Sequence, residues 1–132
     1  MKTIIVFVSI FSMLLQVKQF NASSTSVDVY LAKSEGAEWI FNNTIEQNDF
    51  FVFNSDYSKL EWKNPAGTLS FLLNQVKKDE NSNIWKATDS KGIEHFVVLI
   101  ESKNEIRIIS DYPSGGKVKM VFNIQKFWVS NW

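Results

Sequence analysis

Residues 84–124 read IWKATDSKGIEHFVVLIESKNEIRIISDYPSGGKVKMVFNI. Four blocks rich in β-branched and aromatic residues stand out: Ile84–Thr88, Glu94–Glu101, Glu105–Ser110 and Lys117–Ile124. Between them lie Asp89-Ser90-Lys91-Gly92, Ser102-Lys103-Asn104 and Pro113-Ser114-Gly115-Gly116, residue types that reverse a chain cheaply through positive φ or local side-chain hydrogen bonds. Such blocks and separators spell strands joined by tight turns. Ile106 and Ile108 share one face of their strand, and Val118, Met120 and Phe122 share one of theirs, as expected where one face is covered and the other wet. Phe96-Val97-Val98-Leu99-Ile100 is apolar on both faces, which predicts a central position in the sheet. With Thr68–Val76 ahead of it, the stretch reads as a five-stranded up-and-down meander from about residue 68 to 124.

Working outward, Val27–Ala32, Glu38–Asn42, Phe50–Asn54, Leu60–Lys63 and Phe127–Val129 are further strand candidates. The region from Ser34 to Ser58 is less regular and has room for a short helix or long loops. Leu69, Leu72, Leu73 and Val76 also fall at helical spacing behind Asn64-Pro65, but Gly67 and Thr68 weaken a first helical turn, so a strand is preferred. Trp39, Trp62 and Trp85 are evenly spaced, which reads as repeated hairpin construction. The expected fold is all-β: a single antiparallel meander forming a small up-and-down (lipocalin-like) barrel or a β-sandwich. In general pattern it resembles the up-and-down barrels that hold small ligands, although no family motif carries that resemblance.

The start of the chain reads as an address. Lys2 supplies a short positive segment, Ile4 to Val17 is a mostly apolar run, and no acidic residue precedes Asp28. The run is short for a permanent membrane helix, which needs about 20 residues, and suits a signal peptide. Cleavage after Ser24 places the small residues Ala22 and Ser24 at the recognition positions, leaving residues 25–132 as the mature all-β domain without a membrane span. The alternative is an uncleaved anchor. Fourteen basic and fourteen acidic residues balance, so losing Lys2 and Lys18 leaves the domain mildly acidic. That gives no basic surface for a nucleic-acid partner. An exported domain without cysteine leans towards a bacterial periplasmic or secreted protein. In a eukaryotic host the sequon Asn42-Asn43-Thr44 would be usable.

Reactive chemistry is sparse. Without cysteine there is no thiol catalysis or cysteine-based metal site. The only histidine, His95, adjoins Glu94 on one strand, where neighbours point to opposite faces. Ser114-Gly115-Gly116-Lys117 lacks the spacing of a phosphate loop, and Asp79, Asn81 and Asn83 open like a calcium loop but lack its glycine and closing glutamate. Among the carboxylates Glu38, Asp49, Glu61, Glu94 and Glu101, no motif selects a catalytic pair. These features predict a non-enzymatic protein without a metal or other cofactor.

Aromatic residues are the most suggestive signal. They crowd between Trp39 and Trp62 and close the chain at Phe127, Trp128 and Trp132. Core packing is the simpler reading of such residues in a small domain. The functional expectation is binding of a small apolar or amphipathic molecule through Trp39, Phe51, Phe53, Trp62 and Trp85. The competing expectation is a periplasmic or cell-surface structural or protein-interaction module with a filled core. A carboxylate-based hydrolase ranks behind both. An outer-membrane barrel is disfavoured, because stepping back by twos from Trp132 gives Ser130, Trp128 and Lys126, not an apolar lipid-facing row.

Overall fold

The computed structural model describes residues 18–131. Within them lie eight strands: β1 (Lys18–Ala32), β2 (Ile40–Phe53), β3 (Lys59–Asn64), β4 (Gly67–Lys78), β5 (Asn83–Thr88), β6 (Glu94–Ile100), β7 (Glu105–Asp111) and β8 (Lys117–Asn131). Each pairs antiparallel with the next, and β8 returns to β1, closing an up-and-down barrel. The meander from β4 to β8 is therefore as the turn chemistry predicts, and Gly67–Lys78 is a strand despite its helical spacing. Of the two architectures that alternation allows, the barrel is the one formed.

Three readings are corrected. Glu38–Asn42 and Phe50–Asn54 are not separate strands; most of both belongs to the continuous β2, whose polar middle is held by pairing with β1 from Ile40↔Leu31 to Phe53↔Phe20. Lys117–Ile124 and Phe127–Val129 are likewise one strand, carried past a register shift by its pairing with β1. The Phe96–Ile100 run holds no special central place, since in the closed barrel every strand has a neighbour on each side; its inward Val97 and Leu99 are buried, while Phe96 faces outward and is 37% exposed. The first strand also begins well before Val27, so cleavage after Ser24 would remove the leading seven residues of β1. The apolar run Ile4–Val17 and Trp132 lie outside the described residues.

Period-two alternation places one side chain in two inside. The interior is filled by Phe51, Phe53, Leu60, Trp62, Phe71, Trp85, Ile106, Ile108 and Phe122, with Ala22 and Val27 from β1. Phe51 stacks on Trp62 at 6.1 Å between ring centroids, and both meet Phe122 edge-on at 4.8 and 5.2 Å. Such contacts add about 0.5–1.5 kcal/mol per pair beyond area burial. Glu61, Lys63, Lys86, Arg107, Lys117 and Lys119 alternate with these positions and stand on the outward face, a composition suited to water.

The barrel has two unlike ends. At the lower end β1 begins and β8 finishes. There Tyr57, held in the left-handed region at φ 55°, folds over the opening, stacking on Trp85 at 5.8 Å and meeting Phe53 at 5.5 Å. Asn54 fixes this loop, its Oδ1 accepting from the backbone N–H groups of Ser58 and Lys59. Phe20 joins the plug, stacked on Phe127 at 5.4 Å. At the upper end the β1–β2 and β7–β8 hairpins rise above the short β3–β4 hairpin, because β3 pairs only with Phe50–Phe53 of β2.

Candidate functional site

Between those two tall hairpins lies a cleft of about 520 Å³ lined by Leu31, Ala32 and Lys33 from the β1 side, Ile40, Phe41 and Asn42 from β2, and Tyr112, Ser114 and Gly116 from the β7–β8 loop. Its walls are built locally. Tyr112 N–H donates to the Gly116 carbonyl at 2.7 Å, and Gly115 takes φ 96°, which ordinary side chains resist. Gly116 lies against the end of β1: a Cβ there would meet the Ala32 carbonyl oxygen at 2.8 Å. Glycine thus lets the two hairpins approach. Lys117 ties the same loop down, its Nζ 3.1 Å from Asp111 Oδ1.

The cleft leaves apolar surface in water. Ile40 is 58% exposed, Phe41 54% and Tyr112 45%. Scattered apolar residues on a surface are ordinary, whereas here three of them converge on one concavity. The volume falls within the 300–1,000 Å³ usual for small-molecule sites. Lys33 supplies a cation at the edge. Phe41 is braced edge-on by Tyr30 at 5.6 Å, and Lys119 Nζ sits 4.9 Å from the ring centroids of both Tyr30 and Trp39. Burial beside Arg107 lowers the Lys119 pKa from its ordinary value.

A second cleft of about 760 Å³ opens at the lower end, lined in part by Tyr57, Trp85, Leu73 and Leu99 beneath a polar rim that includes Asn74, Asp79 and Glu101. Its apolar floor is already covered, with Trp85 2% and Leu99 1% exposed, so it offers a ligand little surface to dehydrate. Burial, reinforced by Glu101, raises the Tyr57 pKa.

The five aromatic residues selected from the sequence do not form one site. Phe51, Phe53, Trp62 and Trp85 come together, but in the packed interior; Trp39 lies apart, on the outer wall beside the upper cleft. Ile40, Phe41 and Tyr112 escaped sequence reading, because the cleft arises where two loops distant in the chain meet. Among the carboxylates, Asp49 has a specific partner: it is fully buried and accepts from Trp62 Nε1 at 2.9 Å and from Gln47 Nε2 at 3.0 Å. Asp79 caps its own turn by accepting from the backbone of Asn81 and Ser82, which lowers its pKa. Among the described residues no three His, Cys, Asp or Glu side chains cluster to hold a metal.

His95 does meet an acid, though not Glu94. Its Nε2 lies 3.0 Å from Asp89 Oδ2 and its Nδ1 2.6 Å from Ser110 Oγ. Asp89 Oδ1 accepts from the backbone N–H groups of Lys91 and Ile93, so the row staples the β5–β6 hairpin to β7. The His95 hydrogen bond, followed by the Ile93 N–H, holds the Asp89 pKa below its ordinary value. A depressed carboxyl pKa gives stability that is present above the unfolded value, about 3.9, and is lost as pH falls through the folded one. Acid unfolding followed by urea titration between pH 6 and 2 therefore should show a steeper loss below about pH 4 for the wild type than for Asp89→Asn. Parallel curves would remove the staple.

Comparisons with known proteins find no matching family model, no matching curated protein and no matching solved structure.

Proposed function

We propose that the protein is an exported, non-enzymatic binding domain that takes an amphipathic small molecule at the upper cleft, its apolar part against Ile40, Phe41 and Tyr112 and an anionic head beside Lys33. The observation that supports this reading is the convergence of three large, half-exposed apolar side chains on one concavity of ligand size. The interior is an inferior candidate, since its aromatic rings already pack on one another. That filled core also favours a second reading, a structural or protein-interaction module, which the same titration separates from the first.

Dodecanoate and dodecylamine should be titrated against tryptophan fluorescence, for which Trp39 beside the cleft is the natural reporter. Saturable binding of the carboxylate, weaker binding of the amine and a loss of about tenfold in Phe41→Ala are expected, since removing a partly buried ring from a contact costs on the order of 1.4 kcal/mol. Lys33→Glu should reverse the preference for the carboxylate. Non-saturating signals, or a Phe41→Ala variant that binds unchanged, overturn the ligand reading and leave the interaction module.

A further inference from the structure

β2 is paired on one edge only over most of its length. It runs beside β1 from Ile40 to Phe53, yet β3 reaches only Phe50 to Phe53 on the other side. Among the described residues no strand pairs with the second edge of Ile40–Asp49. Backbone N–H and C=O groups alternate along such an edge and form a template for another strand. Proteins commonly blunt these edges with lysine, proline or a covering loop. Two other overhanging segments of this barrel follow that rule: β4 carries Lys77 and Lys78 with Leu73 N–H bonded to Ser58, and β8 carries Lys126 with Ile124 N–H bonded to Asn104. The β2 edge does not. Ile40-Phe41-Asn42-Asn43-Thr44-Ile45-Glu46-Gln47-Asn48 has no lysine, arginine, proline or glycine, and Ile45 and Phe50 are 41% and 46% exposed.

We infer that this edge pairs with the same edge of a second copy, antiparallel about a two-fold axis near Asn43. Charge selects this occupant. Glu46 is the only ionisable residue from Ile40 to Asn48, and a pair centred near Asn43 sets it opposite the neutral Ile40 of the other copy, away from its own counterpart. Like charges directly opposite would be unfavourable, and none arise. A two-fold pair also closes, using up both edges, where an offset pairing would grow into a fibre. A single strand pair falls towards the lower end of the area that specific interfaces bury, so the association is weak, with Kd on the order of micromolar.

The test is sedimentation of the protein expressed from its full sequence and purified without denaturation, across a concentration series, with Asn43→Lys and Asn43→Glu. Asn43 is exposed, its side chain bonded only to neighbouring Asn42, so both variants should keep the wild-type melt. The wild type should pass from monomer to dimer, each variant alone should stay monomeric, and an equimolar mixture of the two should recover the dimer. A wild type that remains monomeric at millimolar concentration, an open polymer, or a dimer indifferent to both substitutions overturns the inference. Asn43 does not line the upper cleft, so its two variants keep Lys33, Ile40, Phe41 and Tyr112 in place, and dodecanoate binding measured on the monomeric variants separates failure of the cleft from failure of the dimer.

Discussion

A chain beginning at Thr25 will fail to form a cooperative barrel, while one beginning at Lys18 will fold. Residues Lys18–Ser24 pair with Ile124–Asn131 of β8, and Phe20–Ser24 pair also with Asp49–Phe53 of β2. The loss is worst for β8. β7 accompanies it only as far as Glu105↔Asn123, so without the first half of β1 the last part of β8 has no strand beside it among the described residues. Ala22 is fully buried, and Asn21, 6% exposed, donates to Ser130 Oγ at 3.0 Å. Phe20 leaves the lower plug, where its ring meets Phe127 at 5.4 Å and both Phe53 and Tyr57 at 6.2 Å. Full burial of a phenylalanine is worth about 1.5–3 kcal/mol, of which the partly buried Phe20 contributes a share, and each net hydrogen bond about 1. Together these reach the 5–15 kcal/mol that stabilises a whole domain. The shorter chain should show no cooperative thermal transition and should bind a hydrophobic dye. A transition within a few degrees of the longer chain's would refute the account. If a leader is removed and this strand is kept, the mature N-terminus lies at or before Lys18, which N-terminal sequencing reads directly.

The signal that hid this half strand explains how the sequence can be read. Gln19, Asn21, Ser23 and Ser24 are polar or small, so no apolar alternation marks them, and they follow the apolar run as the end of a leader would. Their place in the sheet comes from neighbours far along the chain. Ala22 and Ser24 can be small because the interior beside them is filled by Phe51, Trp62 and Phe122 from β2, β3 and β8. The polar middle of β2 was obscure for a related reason. Asn42, Asn43, Thr44 and Glu46 are exposed, and a strand with a free edge needs no buried face to write its period into the sequence. From Gly67 to Ile124 the case is opposite: consecutive strands pair with one another, each has a covered face, and each turn carries its own chemistry. Local rules therefore suffice there. The upper cleft depends on Leu31, Phe41 and Tyr112 meeting across the rim, a separation in sequence that no motif spans.

The second large effect is expected at the polar link inside the barrel. Trp62→Phe should cost about 3 kcal/mol, more than the small change in ring size explains. Asp49 is fully buried, and Trp62 Nε1 is one of only two side-chain donors that reach its carboxyl oxygens; Gln47 Nε2 is the other. Removing the indole N–H leaves the buried carboxyl with Gln47 Nε2, shared between its two oxygens, as the one remaining side-chain donor, and a buried acceptor that loses a partner costs about 1–3 kcal/mol, more if charged. The lost ring volume adds a cavity beside Phe51 and Phe122. If the cost lies in the under-satisfied carboxyl, then removing that carboxyl as well should restore stability. The double variant Asp49→Leu with Trp62→Phe should recover at least half of the loss, because two apolar neighbours leave nothing to satisfy. Asp49→Asn alone should be mild, since its carbonyl oxygen still accepts from Trp62 and the Gln47 amide can turn to accept from the new NH₂. Urea denaturation of the wild type, Trp62→Phe, Asp49→Leu and the double variant gives the coupling energy directly. A Trp62→Phe penalty below about 1 kcal/mol, or a double variant no more stable than Trp62→Phe, would mean that the indole serves by packing alone. Recovery would mean that Asp49 and Trp62 set the register between β2 and β3, holding Phe51 opposite Trp62 at the point where β3 first joins β2 and the upper rim begins.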